Sequence, residues 1–333
     1  VSTNESKKLT LYRPPVPGTL RLTLVATLIA AAAFALYRRD LADRWIAITA
    51  GVLALVLLVW WRGTFLTDIL GRFTQLLARR ISGRTPATDT AQVVTAGVDA
   101  RSTVALELTP PQSGKEVPIG LIAGYLDRYG VRCSFIRVTT ADVGGAESKT
   151  WVSLTLGAAA NLTALQARSP RIPLRKTADT VGRRLADHLR ELGWHVNAAE
   201  IPNAPLPAQV KEGSRGVIDD HGYLAAYRAT VNGELPENLR DIWSAALPER
   251  WTVLELTGTT HAPHLSVVCA LRTEEKPAPR APLAGLTPCW GEHLLVLRAM
   301  DPLSSSTLGA ANVAVTPEFL DNLAQREEAP ALV

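Results

Sequence analysis

Two histidines stand at a spacing that could serve a metal. His261 and His264 form an H-x-x-H pair, and imidazoles so placed can share one zinc ion. Pro263 sits between them, in the connection between two expected strands, and no third ligand is nearby in the sequence, so a solvated loop explains them better. Asp219-Asp220-His221 gathers the side chains of general acid–base chemistry. Its position just before Gly222 is explained more simply by turn chemistry, in which Asp bonds nearby backbone amides. Val143–Thr150 (VGGAESKT) ends like a phosphate-binding loop, but that motif needs Gly where Val143 and Ser148 stand. A hairpin turn is the better reading. No G-x-G-x-x-G, no G-x-S-x-G and no pair of Asp at i, i+2 occurs.

Three cysteines, Cys133, Cys269 and Cys289, are far apart and form no C-x-x-C pair. That argues against a disulfide framework or a zinc site and for a reducing compartment. Cys133 sits in an apolar stretch and reads as core; Trp151, Trp194, Trp243 and Trp251 fall in or beside regular elements and read the same way. The residues assign no catalytic, cofactor-binding or metal-ligating role, and no cofactor is expected.

The elements around these residues begin with two apolar runs. Leu22–Tyr37 carries no charge over 16 residues and Trp45–Trp61 none over 17, with the charged connector Arg38–Arg44 between them. A membrane helix needs about 17–25 residues, so each run reaches the short end of that range; Arg21 can lengthen the first by stretching its head group to the interface. Seven Leu, Ile, Val or Phe in the first run give roughly 3 kcal/mol of insertion free energy. Aromatic residues stand where a bilayer surface would lie: Tyr37 and Trp45 at one side, Trp60, Trp61 and the adjoining Arg62 at the other. A transmembrane hairpin over 20–61 (spans 20–37 and 45–61) is the reading. A cleaved signal peptide, suggested by Ala33-Phe34-Ala35, fits less well because a second apolar run follows so closely.

Charge is unevenly distributed. Of 35 Lys and Arg and 31 Asp and Glu, residues 1–90 hold 12 and 5, which leaves the remainder of the chain net acidic. The basic third suits anionic lipid headgroups, and the acidic remainder argues against nucleic acid as a partner. Lys7, Lys8, Arg13 and Arg21 precede the first run; Arg62, Arg72, Arg79, Arg80 and Arg84 follow the second. Basic flanks stay on the cytoplasmic side, which places the N-terminus and the rest of the chain there and makes the protein a two-span membrane protein.

The fold class expected is therefore a two-helix transmembrane hairpin followed by a soluble mixed α/β domain. Residues 1–19 read as a cytosolic tail. Over 62–81 apolar residues recur at three- and four-residue spacing with Arg72, Arg79 and Arg80 opposite, a basic amphipathic helix. Such a helix can lie on the inner leaflet, continue the second span towards a partner, or pack on its own domain. A polar linker follows at 82–92. The domain, 93–326, mixes seven or eight strands with about five helices, and a frayed tail closes the chain at 327–333. Expected helices lie at 117–129, 158–167, 179–192, 236–246 and 317–325, and 293–298 reads as a strand. The stretch 200–222, rich in Pro and Gly, reads as one long loop. Helix–strand–strand groups recur at 117–156 and 236–272. On the 179–192 helix, Arg183, Arg184 and Arg190 form an exposed basic face, a candidate contact for lipid or partner.

Four stretches carry a resemblance: Gly124–Cys133 (GYLDRYGVRC), 161–173 (NLTALQARSPRIP), Thr180–Val196 (TVGRRLADHLRELGWHV) and 281–288 (APLAGLTP). With a preceding hairpin that ends WWRGTFLT, they resemble EccE, a membrane subunit of the mycobacterial type VII (ESX) secretion machine, and most nearly the ESX type tied to iron and zinc acquisition. The resemblance covers roughly 40–305. It implies a plasma-membrane protein assembled with the EccB, EccC and EccD subunits, with the EccC ATPase supplying energy, and it implies no catalytic motif. Two functions follow as expectations: a non-catalytic structural subunit that anchors and braces a secretion complex, or a membrane-anchored, transferase-like enzyme acting on cell-envelope precursors.

Overall fold

The computed structural model describes residues 100–111, 116–144, 148–169, 173–199, 205–206 and 210–323, together with eight isolated positions nearer the N-terminus. The chain divides into two compact units, Val1–Thr85 and Pro86–Val333. In the first, Ala26, Thr27 and Ala30 of one apolar run and Thr49 of the other are helical. Trp60–Trp61 (β1) pairs antiparallel with Thr64–Phe65 (β2), Trp60 opposite Phe65. Extended pairing thus replaces the helical end expected of the second span at Trp60 and Trp61, and strand stands at 64–65 where the amphipathic helix was to begin. Trp, Thr and Phe favour strands, and a two-residue connection containing a glycine suits a hairpin. The remainder of the expected transmembrane hairpin, of the helix over 62–81 and of the linker lies outside the described residues. Among the described residues no helix is long and apolar enough to cross a membrane.

The second unit is a mixed α/β domain built on one antiparallel sheet. Its strands are β3 (Arg101–Thr109), β4 (Asp127–Arg128), β5 (Val131–Val143), β6 (Lys149–Gly157), β7 (His195–Ala198), β8 (Lys211–Gly213), β9 (Gly216–Asp219), β10 (Gly222–Ala229), β11 (Glu249–Gly258), β12 (Pro263–Thr273), β13 (Leu286–Pro288) and β14 (Val313–Ala314). The helices are α1 (Ile119–Ala123), α2 (Leu162–Arg168), α3 (Leu174–Glu191), α4 (Leu235–Ser244), α5 (His293–Ala299) and α6 (Pro317–Asn322). The sheet runs β7-β3-β6-β5-β11-β12-β10-β9-β8; β13 pairs with β10, β14 with β12, and β4 with β5.

That order contains a duplication. β3, α1, β5 and β6 form one strand–helix–strand–strand group; β10, α4, β11 and β12 form another. In each, the last strand of the group lies between the other two, giving β3-β6-β5 and β11-β12-β10. The groups join where β5 pairs with β11, from Val143 opposite Glu249 to Ile136 opposite Leu256. The helix–strand–strand groups expected from the sequence are these units, each with one more strand in front.

Alternation of side chains gives the sheet two different faces. One presents Leu106, Val138, Leu154, Leu254, Val267 and Leu271 to α1, α3, α4 and α6, which reply with Ile122, Leu185, Leu239 and Leu320. Gly182 lets α3 come close to β3, since a Cβ at that position would lie 2.8 Å from Val104 Cγ1. The opposite face presents Trp151, Trp251, Val253 and Val268, covered by α5 and by residues that include Met300 and Leu308.

Three expectations are corrected. The helix read over 117–129 stops at Ala123, because Gly124 begins a turn into the β4–β5 hairpin. The loop read over 200–222 contains the β8–β9 hairpin, closed by Gly213 and Gly216. Residues 293–298 form a helix, not a strand: His293, Val296, Leu297 and Met300 are buried at helical spacing, while Leu295 is exposed.

Candidate functional site

The centre of the sheet holds a charge pair. β5 turns Arg137 and β11 turns Glu255 onto the same face, and register places them directly opposite each other. Arg137 Nε and Nη2 donate to Glu255 Oε2 at 2.9 and 2.7 Å, with side-chain exposures of 0% and 3%. The rest of the guanidinium is spent on the chain that crosses above it. Nη1 donates to the carbonyls of Ala299 (2.7 Å) and Ser304 (3.1 Å), and Nη2 to that of Ser306. Glu255 in turn accepts the Leu308 N–H at 3.2 Å. An irregular segment packed on a sheet has polar backbone groups that need partners, and a five-donor guanidinium with a carboxylate beside it provides them. Burial lowers the Arg137 pKa and the Glu255 carboxylate counters it; with its donors spent on Glu255 and three carbonyls, Arg137 works as a clamp.

Further ion pairs lie at the Val143 end of β5, on both faces of the sheet. Arg272 donates to Asp219 at 2.7 Å and also to Glu249, which accepts Trp251 Nε1 at 2.7 Å. Arg250 pairs with Asp142 at 2.5 Å and donates to the Ala245 carbonyl at the end of α4. Burial pushes the Asp219 carboxyl up, but hydrogen bonds from Arg272 and from the His221 backbone outweigh it and hold it below the usual range. The His221 N–H donates to Asp219 Oδ1 at 2.8 Å. Asp219-Asp220-His221 is thus a turn whose first Asp is committed to an ion pair, as turn chemistry anticipates.

The H-x-x-H pair belongs to the β11–β12 hairpin. His264 lies in β12, opposite Thr257, and exposed His261 stands in the connection, so the loop reading holds for His261 only. Among the described residues, no three of His, Cys, Asp and Glu gather as a metal would require. A histidine that the sequence did not single out is more unusual. His293 is fully buried at the start of α5, and its Nδ1 accepts the Ala226 N–H at 3.1 Å. That bond fixes the neutral ring with its proton on Nε2. Burial, reinforced by Arg228, holds its pKa down at about 4. Cys133, Cys269 and Cys289 are all buried; burial pushes the Cys133 thiol up to about 12, leaving it unreactive at neutral pH.

Of the expected contact residues, Trp60 and Trp61 form β1, while Tyr37, Trp45, Arg62, Arg72, Arg79 and Arg80 lie outside the described residues. Arg183, Arg184 and Arg190 are all exposed on α3. They are not equivalent. Arg190 pairs with Asp187 at 2.8 Å and donates to the Val196 carbonyl at 2.7 Å on the edge strand β7. Arg184 lies against Tyr129, its guanidinium carbon 4.5 Å from the ring centroid. Sequence reasoning missed Arg137, Glu255 and Tyr129. The signal for the first two was present: single opposite charges inside otherwise apolar strands, in FIRV and VLEL, are buried only when paired. Tyr129 gave a weaker one, a Tyr-Gly step in a stretch read as helix.

Comparison with known proteins places these features in a family. The family described as "Putative type VII ESX secretion system translocon, EccE" matches residues 145–262. The ESX-3 secretion system protein EccE3 of Mycolicibacterium smegmatis is 43% identical over 295 residues, covering 89% of this chain and 91% of its own length. EccE3 of Mycobacterium tuberculosis is 41% identical over 303 residues, covering 89% and 88%.

Proposed function

Because the chain belongs to the EccE family of type VII (ESX) secretion proteins, we propose that it is a non-catalytic structural subunit of a plasma-membrane ESX complex. The observation that carries this reading is the likeness to EccE3 proteins along nearly nine-tenths of the chain. On this reading the two apolar runs anchor the protein, with Tyr37, Trp45, Trp60, Trp61 and Arg62 at the bilayer surfaces. The N-terminus and the α/β domain face the cytoplasm, and EccB, EccC and EccD are the neighbours. Arg72, Arg79 and Arg80 meet headgroups or an acidic partner. The buried charges support a structural role, since Arg137, Glu255, Arg272 and Asp219 are spent on each other and on backbone groups. The likeness to ESX-3 proteins supports the ESX type that the resemblance links to iron and zinc acquisition.

Affinity purification of the tagged full chain from detergent-solubilised membranes tests the proposal. The other subunits should co-purify in one high-mass species; a lone monomer from native membranes would overturn it. Protease added to intact spheroplasts tests topology, because a cytoplasmic α/β domain stays uncut.

A further inference from the structure

The tip of the β4–β5 hairpin is built against its own stability. Tyr129 and Gly130 form a two-residue connection with φ of 57° and 69°, and Arg128 pairs with Val131 across it. Two positive φ angles define the turn in which Asn-Gly is favoured. Among the described residues Tyr129 is the one non-glycine with positive φ, and its side chain is 53% exposed. A bulky residue in the left-handed region is strained, and strain kept on a surface points to use. Two guanidiniums rest against the ring, Arg128 at 5.1 Å and Arg184 at 4.5 Å from the centroid. Arg128 also lies 4.8 Å from the Tyr125 ring. Arg183, next on α3, is exposed. Nearby Arg132 and Arg190 are each matched by an aspartate, whereas no described carboxylate pairs with Arg128, Arg183 or Arg184.

We propose that Tyr129, Arg128, Arg183 and Arg184 form a docking surface for an acidic segment of another polypeptide in the assembly. Guanidiniums resting against aromatic rings still have N–H groups to offer a carboxylate, and Tyr129 offers an apolar anchor between them. A bilayer is the weaker fit. It responds to summed charge, and here Asp127 and Asp187 interleave with the arginines. The inference rests on the subunit reading above and adds the surface and the chemistry of the partner.

The test replaces Tyr129 by the photo-crosslinking residue p-benzoylphenylalanine in the full chain, irradiates native membranes and identifies adducts by mass spectrometry. The expected product is a peptide of another polypeptide rich in Asp and Glu. Arg184→Glu in that background should cut the yield roughly tenfold, as the loss of a strong charge contact does. Arg175→Glu, the same charge change at an exposed position nine residues away on α3, should leave the yield unchanged. Adducts to lipid alone, to a peptide without acidic residues, or to nothing would overturn the proposal, as would equal losses from the two substitutions. Co-purification of the unmodified chain with the other subunits is scored separately, so a wrong surface and a wrong subunit reading give different results.

Discussion

The two faces of the central sheet solve the same packing problem in different ways. One is covered by helices, whose backbone groups are already paired internally, so apolar contact is enough: Leu185, Leu239 and Ile122 meet Leu106, Leu254 and Val138. The other is covered by α5 and by the irregular chain that follows it, where the carbonyls of Ala299, at the end of α5, and of Ser304 and Ser306 have no ladder to join. There the sheet supplies a buried Arg–Glu pair instead. The lesson is that the kind of chain on top decides whether the surface beneath can be purely apolar. The clamp also sits where β5 meets β11, so it ties the crossing segment to the seam between the duplicated groups.

The sharpest way to break this contrast is to remove half the clamp. Arg137→Met leaves Glu255 buried and unpaired and should cost about 3–5 kcal/mol in denaturant unfolding. Hydrogen exchange should rise first over 299–308. Adding Glu255→Leu should restore part of the loss but not all of it, because three carbonyls and the Leu308 N–H remain without partners. Full recovery would show that the segment does not need the clamp.

The same face contains His293, and there the lever is pH. Its folded pKa of about 4 lies below the ordinary 6.5, so the unfolded chain binds the extra proton between those values. Its contribution is complete above about pH 6.5 and is lost as pH falls towards 4. Between pH 7 and 4.5 this amounts to about 2–3 kcal/mol. His293→Gln keeps an acceptor for the Ala226 N–H and should flatten that part of the stability profile. An unchanged profile would remove His293 as its cause.

The helical face should respond to volume rather than charge. Gly182→Ala forces a Cβ to within 2.8 Å of Val104 Cγ1. Overpacking should outweigh the gain in helix propensity and leave a net loss of about 1 kcal/mol. Val104→Ala in the same chain should relieve it. The smallest effect belongs to the surface: Arg184→Glu should shift folding stability by no more than about 0.5 kcal/mol, even though it is expected to weaken docking.

Much of the fold was legible in the sequence. The helix–strand–strand groups read at 117–156 and 236–272 stand in the structure, and the helix read at 179–192 is the C-terminal part of α3, with its Val181–Leu185–Leu189 stripe buried. The failures have physical causes. In 293–298 (HLLVLR) a short apolar run gives no clear period, and burial on one helical face had to decide. β8 and β9 are too short to alternate visibly, and their hairpin joins the sheet only through the pairing of β9 with β10. Arg137 and Glu255 lie 118 residues apart, so their partnership is a fact of register that no local spacing encodes. The basic face of α3 could be read directly, but its division into the committed Arg190 and the ring-stacked Arg184 depends on which strand ends lie beside it.

The claim that this chain braces a secretion complex without performing chemistry can be tested in cells. In a strain lacking the native protein, full-length chain carrying His261→Asn, His264→Asn, Asp220→Asn and His221→Asn together removes the groups of the H-x-x-H pair and the Asp-His turn most able to move a proton or hold a metal. Secretion of ESX substrates, measured beside the amount of assembled complex, should match that of the unmodified chain. A complex that assembles in full amount but no longer secretes would contradict the account.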